Sequence, residues 1–596
     1  MSVYIAPQQD TIFVLDQLVE LDKLAAQYAL DDVSLELAEV IVQEAGKLAT
    51  DVLSPLNAAG DKYGAALVDQ QVQQSPGYKE AYQQYVDNGW ATLTGSTEFG
   101  GQGLPNVLGT AINELWHSAN MAFALCPMLS QGAVEALTAH GSPELQERYL
   151  HKLISGEWTG TMNLTEPNAG SDLAAIACKA KPEGDHYRIR GQKIYITWGD
   201  HQMTSNIVHL VLARLPDAPA GVKGISLFVV PKYLLSDKGE PTELNDARCI
   251  SLEHKLGIHA SPTCTMSFGD NDGAIGYLIG EPNKGLSYMF TMMNHARQSV
   301  GLQGLSISER AYQQARQFAK DRTQGTTKDG QKIAIIDYPD VRRMLMAMKS
   351  GCEAMRALSL CAAADIDKHH HGDLDAKARV EFYTPIVKGW MTELSQELTS
   401  LNIQIHGGMG FVEETGAAQH FRDARILTIY EGTTGIQALD LVGRKTLNDN
   451  ANALKQLLNE VSNTISQLST SPDTTLKQIT PRLNRALQKA TAVKDWLLAQ
   501  GKADRQMAAN VSVDYLMMMG YLCGGWLMAK SALRAVELSG QNNLNNEENT
   551  YSEDFLTAKQ GTAHFYAEYY LPRVHQHADT VLSGLSSTFS LDTDQL

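Results

Sequence analysis

The chain has 596 residues, 43% of them hydrophobic and 19% charged, with a formal net charge of −18 from 49 basic and 67 acidic side chains. At about 150 residues per domain this amounts to roughly four structural units of ordinary soluble composition. The acidic balance argues against non-specific binding to nucleic acid or an anionic membrane, so an anionic ligand must be held by local basic residues. The seven cysteines form no CxxC pair and no metal spacing, and several stand in apolar runs. They read as reduced core residues of a cytosolic protein. The start, Met1-Ser-Val-Tyr-Ile-Ala-Pro7, lacks a basic region followed by an apolar one, so no signal peptide is expected.

From about residue 9 to about residue 155 the pattern is helical, with apolar periodicity in 35–53, 107–117 and 121–140. A glycine-dense loop, Glu98-Phe-Gly-Gly-Gln-Gly-Leu-Pro105, interrupts it. Near Gly156 the character changes. Short β-branched or alternating runs at 187–189, 193–197, 207–212, 224–230 and 264–268, punctuated by Gly, Pro, Asp and Asn, predict a compact β-domain. Helical periodicity returns at 286–321, 339–364, 376–404 and 437–445, with 323–331 expected as an exposed loop. Beyond a polar patch at 446–451 come further helices at 453–468, 476–500 and 553–570, and a loop dense in Asn and Glu at 539–552. The most apolar stretch, Tyr515–Ala529, contains Gly520, Gly524 and Gly525 and falls short of the ~20 residues that span a bilayer. It is expected to be a buried helix, and no transmembrane segment is expected.

The expected division is 1–36 as an N-terminal extension, 37–156 helical, 157–280 β, 281–448 a helical bundle and 449–596 a helical extension. The triplet His369-His-His371 reads as a solvated loop, because adjacent histidines on a helix diverge and no carboxylate spacing completes a metal site. His254 and His259 read as packing groups. No metal is expected.

Chemistry-bearing residues cluster in three places. Gln404-Ile-His-Gly-Gly-Met-Gly-Phe411 is followed by Arg422-Asp-Ala-Arg425 and by Ile429-Tyr-Glu-Gly-Thr433, which sets a lone carboxylate, Glu431, ahead of a Gly-Thr-Thr-Gly turn. Met162-Asn-Leu-Thr-Glu-Pro-Asn-Ala-Gly-Ser-Asp172 is a turn-rich run in which Thr165 and Ser171 supply short hydroxyls. Lys193-Ile-Tyr-Ile-Thr197 is a strand some twenty-five positions on. No GxGxxG follows any strand, so a Rossmann site is unsupported.

Over about residues 37–447 these motifs and their order resemble the acyl-CoA dehydrogenases, flavoenzymes that take two hydrogens from an acyl thioester. Gly408 precedes Glu431 at the spacing that family keeps for its catalytic base. The resemblance implies an α+β, mainly α fold: an N-terminal helical domain, a central β-barrel-like domain and a C-terminal four-helix bundle, here with an extra C-terminal helical domain that some larger members carry. The length, the Ala6-Pro7 start and Tyr430-Glu-Gly-Thr-Thr-Gly-Ile-Gln437 are similar to the branch that includes 3-methylmercaptopropionyl-CoA dehydrogenases and bacterial fatty acyl-CoA dehydrogenases.

The site roles follow from that resemblance. FAD would lie against Met162, Leu164, Thr165, Gly170 and Ser171 of the loop and Tyr195, Ile196 and Thr197 of the strand, Tyr195 replacing the tryptophan of many members. Arg322 would meet the pyrophosphate, as suits a guanidinium. Gln404, Gly407 and Gly408 would receive the adenine end, with Thr433 and Gly435 near the cofactor. In relatives the Arg322 and Gln404 segments reach the FAD of a neighbouring subunit, which implies at least a homodimer. Substrate would meet Ser171, Asn294, Arg297, Tyr430 and Gly432. Glu431 would be the base, its backbone N–H also bonding the thioester carbonyl, and burial beside the acyl chain would raise its pKa toward the operating pH. One subfamily places its base just before the arginine, but Ala296 occupies that position here and cannot accept a proton.

The implied reaction converts an acyl-CoA, with medium to long fatty chains favoured, to the trans-2-enoyl-CoA of fatty acid β-oxidation. Electrons would pass to an electron-transferring flavoprotein in the cytoplasm. A 3-methylmercaptopropionyl thioester is the alternative substrate, and an acyl-CoA oxidase the alternative enzyme. A flavin-bearing DNA-associated protein, known in one branch, is disfavoured because residues 451–596 carry no Lys/Arg cluster.

Overall fold

The computed structural model describes residues 3–542 and 550–596. It contains two compact units: Ala45–Pro105 with Leu115–Ser299, and Met1–Glu44 with Asn106–Glu114 and Val300–Leu596. The first holds the large sheet and is called the β-unit below; the second is the helical unit.

In the β-unit, α1 (Met121–His140) begins where the Asn120 side chain accepts the Phe123 N–H, an N-cap of the usual kind. It is buried along most of its length, as suits a helix apolar on every side. The strands of the sheet are β1 (Trp158–Asn163), β2 (Lys179–Glu183), β3 (His186–Thr197), β4 (Asn206–Arg214), β5 (Ile225–Pro231), β6 (Ala247–Leu252), β7 (Thr263–Phe268) and β8 (Ala274–Ile279). Their order is β6-β7-β3-β8-β5-β4-β1, with β2 beside β3. β4 and β5 are buried on both faces, and their sequences are mainly apolar without alternation, with His209 and Ser226 buried among the apolar residues.

The runs expected at 187–189 and 193–197 are one strand, β3, whose first half pairs with β8 and whose second half pairs with β7. β2 and β6 had no clear sequence signal. Each buries only small residues, Ala180 in β2 and Ala247 and Cys249 in β6, too little to register as an apolar alternation.

In the helical unit the long helices are α2 (Gly285–Asp321, its residues from Val300), α3 (Pro339–His370) and α4 (Leu374–His406). Two short helices, α5 (Ala417–Ala424) and α6 (Thr434–Asp440), flank the segment around Glu431. The extension supplies α7 (Asn452–Thr470), α8 (Thr474–Trp496), α9 (Ser512–Asn542), α10 (Glu553–Tyr569) and α11 (Leu571–Ser583).

α9 carries the apolar 515–529 stretch, and its own chain covers it. It packs on α3, α4, α8, α10 and α11, and Tyr515, Leu516, Met519, Leu522, Trp526 and Leu527 are all buried. A Cβ on Gly520 would lie 2.0 Å from Cγ of Trp390 on α4, so glycine is what lets the two helices approach. Among the described residues no helix is long and apolar enough to cross a membrane.

Three expectations need correction. His369 and His370 are the last helical residues of α3, not a loop, and His371 caps it. Cationic or dipolar side chains complement a helix C-terminus, His371 Nδ1 lies 2.8 Å from the Asp367 carbonyl, and Gly372 takes the left-handed φ of 93° that ends the helix. No metal-holding cluster occurs among the described residues. The insert at 323–331 is not simply a loop: Thr323–Thr326 pairs with Lys332–Ala334 as an exposed ribbon. Finally, Ser539–Asn542 belong to α9, while residues 543–549 of the expected 539–552 loop lie outside the described residues.

Candidate active site

The site residues expected from sequence fall in both units. In the β-unit, the loop after β1 is folded on itself, since Glu166 and Ala169 exchange two backbone bonds, each 3.0 Å. It is then fastened to β3. Lys193 Nζ lies 2.7 Å from Glu166 Oε1 and donates to the Leu164 carbonyl at 2.9 Å. The Ile194 N–H donates to the Thr165 carbonyl at 2.9 Å. The Glu166 carboxylate also accepts the N–H groups of Ala177 (2.6 Å) and Cys178 (3.1 Å). Lys193 and Glu166 are both buried, and the loop and strand, separate in the sequence, are thereby one surface.

Removing one member of a buried, hydrogen-bonded ion pair strands the other charge and costs about 3–5 kcal/mol. Lys193→Met is therefore expected to lower the denaturant midpoint substantially, and Lys193→Met with Glu166→Gln to recover part of the loss. A single variant as stable as the parent protein would show that the pair does not fasten the loop.

β3 has a bulge at this point. Ile196 faces Cys264 while Lys193 faces Met266, so β3 carries one more residue than β7 across the step. The extra residue lets Tyr195 adopt a φ of 60° and leaves it 60% exposed. Bulges of this kind re-aim a side chain beside functional sites. Ile196 is buried beneath, Thr197 is half-buried, and Trp198 (φ 51°) is buried with its indole N–H bonded to the Ala122 carbonyl at 3.0 Å. Leu164 is buried, Met162 and Thr165 half-buried and Ser171 exposed, and open space lies where a Gly170 Cβ would point. On α2, Arg297 is buried and donates from Nη1 to Asn294 Oδ1 at 3.3 Å, with Phe290 under its guanidinium.

In the helical unit, the Phe318 and His406 rings stack at 4.1 Å, which brings the ends of α2 and α4 together. Arg322 stands one turn beyond Phe318, exposed and without an ion pair among the described residues. Gln404, Gly407 and Gly408 are exposed at the end of α4; Gly407 has a φ of 60°, and nothing lies within 4 Å of where either glycine would carry a Cβ.

Glu431 is half-buried with a φ of 54°. That left-handed backbone is unfavourable for a non-glycine residue, costs on the order of 1–3 kcal/mol, and persists only where surroundings enforce it. Here the Tyr430 hydroxyl donates a short bond to Gln303 Oε1 on α2, and Gln437 Nε2 on α6 donates to the Glu431 carbonyl at 3.3 Å. Gly432 follows with a φ of 94°, and a Cβ there would meet Gln437 Nε2 at 2.5 Å. Thr433 caps α6 by accepting the Ile436 N–H, and the Thr434 hydroxyl donates to Glu393 Oε1 of α4 at 2.6 Å. Gly435 is half-buried in the first turn of α6. Burial, and then the Glu431 charge, push the Tyr430 phenol far above its ordinary range, so it is a neutral donor. Gln303 was not marked by the sequence, and Gln437 only as the end of its motif with no role of its own, because a lone glutamine in a helix carries no signal.

The sequence matches the family models of the acyl-CoA dehydrogenase N-terminal domain over residues 41–157, the middle domain over 161–271 and the C-terminal domain over 283–446. The chain belongs to the acyl-CoA dehydrogenase family. A further model, acetyl-CoA dehydrogenase C-terminal like, matches residues 457–592. The chain is 46% identical to 3-methylmercaptopropionyl-CoA dehydrogenase of Ruegeria pomeroyi, covering 95% of both sequences. It is 32% identical to a butyryl-CoA dehydrogenase of Syntrophomonas wolfei, over 96% of this chain and 95% of the relative. An acyl-CoA dehydrogenase from Bacillus anthracis, solved as a complex with FAD, has the same fold at 20% identity, with a TM-score of 0.73 over 94% of this chain and 90% of that one.

Proposed function

We propose that this acyl-CoA dehydrogenase oxidises a short acyl-CoA thioester to its trans-2-enoyl-CoA, with FAD as cofactor and Glu431 as the base. The observation that carries the reading is the half-buried Glu431, held in left-handed backbone between Tyr430 and Gly432. Strain at a carboxylate, enforced by two glutamines, is expected where pre-organisation serves chemistry. A short chain is preferred over the medium-to-long one expected from sequence. Two relatives, at 46% and 32% identity, are named for 3-methylmercaptopropionyl-CoA and butyryl-CoA, whose acyl groups are both small.

The residues present fit FAD. The bulged strand offers the exposed Tyr195 ring, and the Thr165, Ser171 and Thr197 hydroxyls have no partner among the described residues. The free guanidinium of Arg322 suits a pyrophosphate, and the open Gly407-Gly408 backbone allows close approach of an adenosine. Bound there, the flavin supplies the two-electron acceptor for the β-hydrogen. The chain's own work is to bind the thioester, with Arg297 and Asn294 toward its CoA portion, and to take the α-proton on the Glu431 carboxylate. The Glu431 backbone N–H bonds the thioester oxygen as negative charge develops there, an interaction worth most in a dry site.

The same reading takes Arg322 and the Gln404–Gly408 segment to the cofactor of a second subunit, so the working form is at least a homodimer, and an electron-transferring flavoprotein is the acceptor. The division proposed with this reading is 37–156, 157–280, 281–448 and 449–596, with the flavin loop in the second segment and the base in the third. Purified protein is expected to be yellow and to lose its flavin absorbance when butyryl-CoA or 3-methylmercaptopropionyl-CoA is added without oxygen. A colourless protein that does not take up FAD overturns the cofactor assignment; a yellow protein that no acyl-CoA bleaches overturns the activity.

A further inference from the structure

The bonds around Glu431 reach further than its own loop. The Tyr430 hydroxyl bonds to Gln303 on α2, a residue 127 positions away that is fully buried. The Glu431 carbonyl is held from the other side by Gln437, itself 1% exposed. The two glutamines thus bracket the Tyr430-Glu431 dipeptide, one through the side chain before the base and one through the carbonyl after it. Between those two anchors lie the Tyr430–Glu431 peptide bond and the φ of 54° that aims both the carboxylate and the backbone N–H of Glu431.

We infer that Gln303 and Gln437 are positioning residues for the base, and that Gln303 also keeps the Tyr430 hydroxyl proton away from the Glu431 carboxylate. This rests on Glu431 being the base. A glutamine suits the task because its carbonyl accepts the phenol proton without adding charge beside a carboxylate that must stay easy to protonate. Without that acceptor the phenol is free to turn to the neighbouring carboxylate. A hydrogen bond to the charged form lowers a carboxyl pKa, and bonds to charged groups are strong enough to move it by about 1 unit. Of the charged groups near this segment, Asp423 on α5 acts on the Tyr430 phenol and Glu393 on α4 accepts from the Thr434 hydroxyl, and both are carboxylates.

The test is a double-mutant cycle on the flavin-loaded holoenzyme, with butyryl-CoA as probe, reading kcat, KM and the acid limb of the kcat–pH profile. Gln303→Leu is expected to lower kcat about 10- to 100-fold, to leave KM within about twofold, and to shift the acid limb down by about 1 pH unit. Tyr430→Phe should lower kcat similarly with no downward shift, since it has no proton to redirect. The double variant should resemble Tyr430→Phe, and Gln437→Leu should lower kcat with the acid limb in place.

Additive losses in the double variant, an unmoved limb in Gln303→Leu, or a rise in KM at constant kcat each overturn the inference. So does a Gln437→Leu variant with unaltered kcat. Should Gln303→Leu fail to take up flavin, Gln303→Asn, one methylene too short to reach the phenol, carries the same expectations. A parent protein that oxidises no acyl-CoA refutes the proposed activity instead, so the two failures are distinct.

Discussion

Glu431→Gln is expected to leave flavin and acyl-CoA binding nearly intact while lowering turnover by at least about 10²–10⁴-fold, the usual range for losing a general base. The reasoning is local. Glutamine has the size of glutamate, and the bond that Gln437 makes is to the backbone carbonyl of residue 431, not to its side chain. The left-handed backbone, the Tyr430–Gln303 bond and the α6 cap are therefore all retained in the variant. The basic oxygen is lost. The other position at which the family places a base is Ala296, so no second carboxylate is expected to rescue the α-proton. Rapid anaerobic mixing with butyryl-CoA, followed by flavin absorbance, measures the step directly. Activity within a few-fold of the parent enzyme would mean that another residue takes the proton.

A chain ending near Asn448 is expected to be insoluble or to unfold. Helix α9 covers α3 and α4 over a stretch in which nearly every side chain is apolar and buried. Its loss uncovers Trp390 and its neighbours, and each large side chain returned to water costs about 1.5–3 kcal/mol. A handful of these equals the ~5–15 kcal/mol that holds a typical domain together. Polar ties are lost as well: Arg573 forks onto Glu397 of α4 at 2.5 and 2.8 Å, and the Tyr515 and Thr446 hydroxyls lie 2.9 Å apart. Sedimentation and activity of the truncated chain decide the matter. A soluble, fully active product would make residues 449–596 an independent module, contrary to their burial against α3 and α4.

Much of this was written locally. Burial on one face of a helix imposes a 3.6-residue period, so α2, α4 and the start of α3 could be read to within two residues from their apolar spacing, while α3 runs six residues past its expected end. The separation of the Gly407-Gly408 pair from Glu431, and the Thr165–Ser171 loop, are properties of a continuous stretch of chain. They identified the family from sequence alone, and the family models agree. The apolar 515–529 run likewise declared that protein must cover it.

What the sequence did not determine depends on residues distant in the chain. That α9 is covered by its own α3, α4, α10 and α11 is a matter of which surfaces meet. The left-handed turn of Tyr195 follows from a mismatch in register between β3 and β7, which neither strand contains by itself. Lys193 and Glu166 were plain members of two motifs until the fold put one ammonium and one carboxylate 2.7 Å apart in a buried place. Gln303 carried no signal, and Gln437 stood at the end of its motif with no role of its own, because a glutamine has no periodicity or turn preference to betray it. Only the packing of α2 and α6 around the Tyr430-Glu431 dipeptide supplies the buried partners that give those amides a use. Local propensity and apolar spacing are encoded in neighbours, whereas strain, pairing and proton direction arise where remote segments exclude water together.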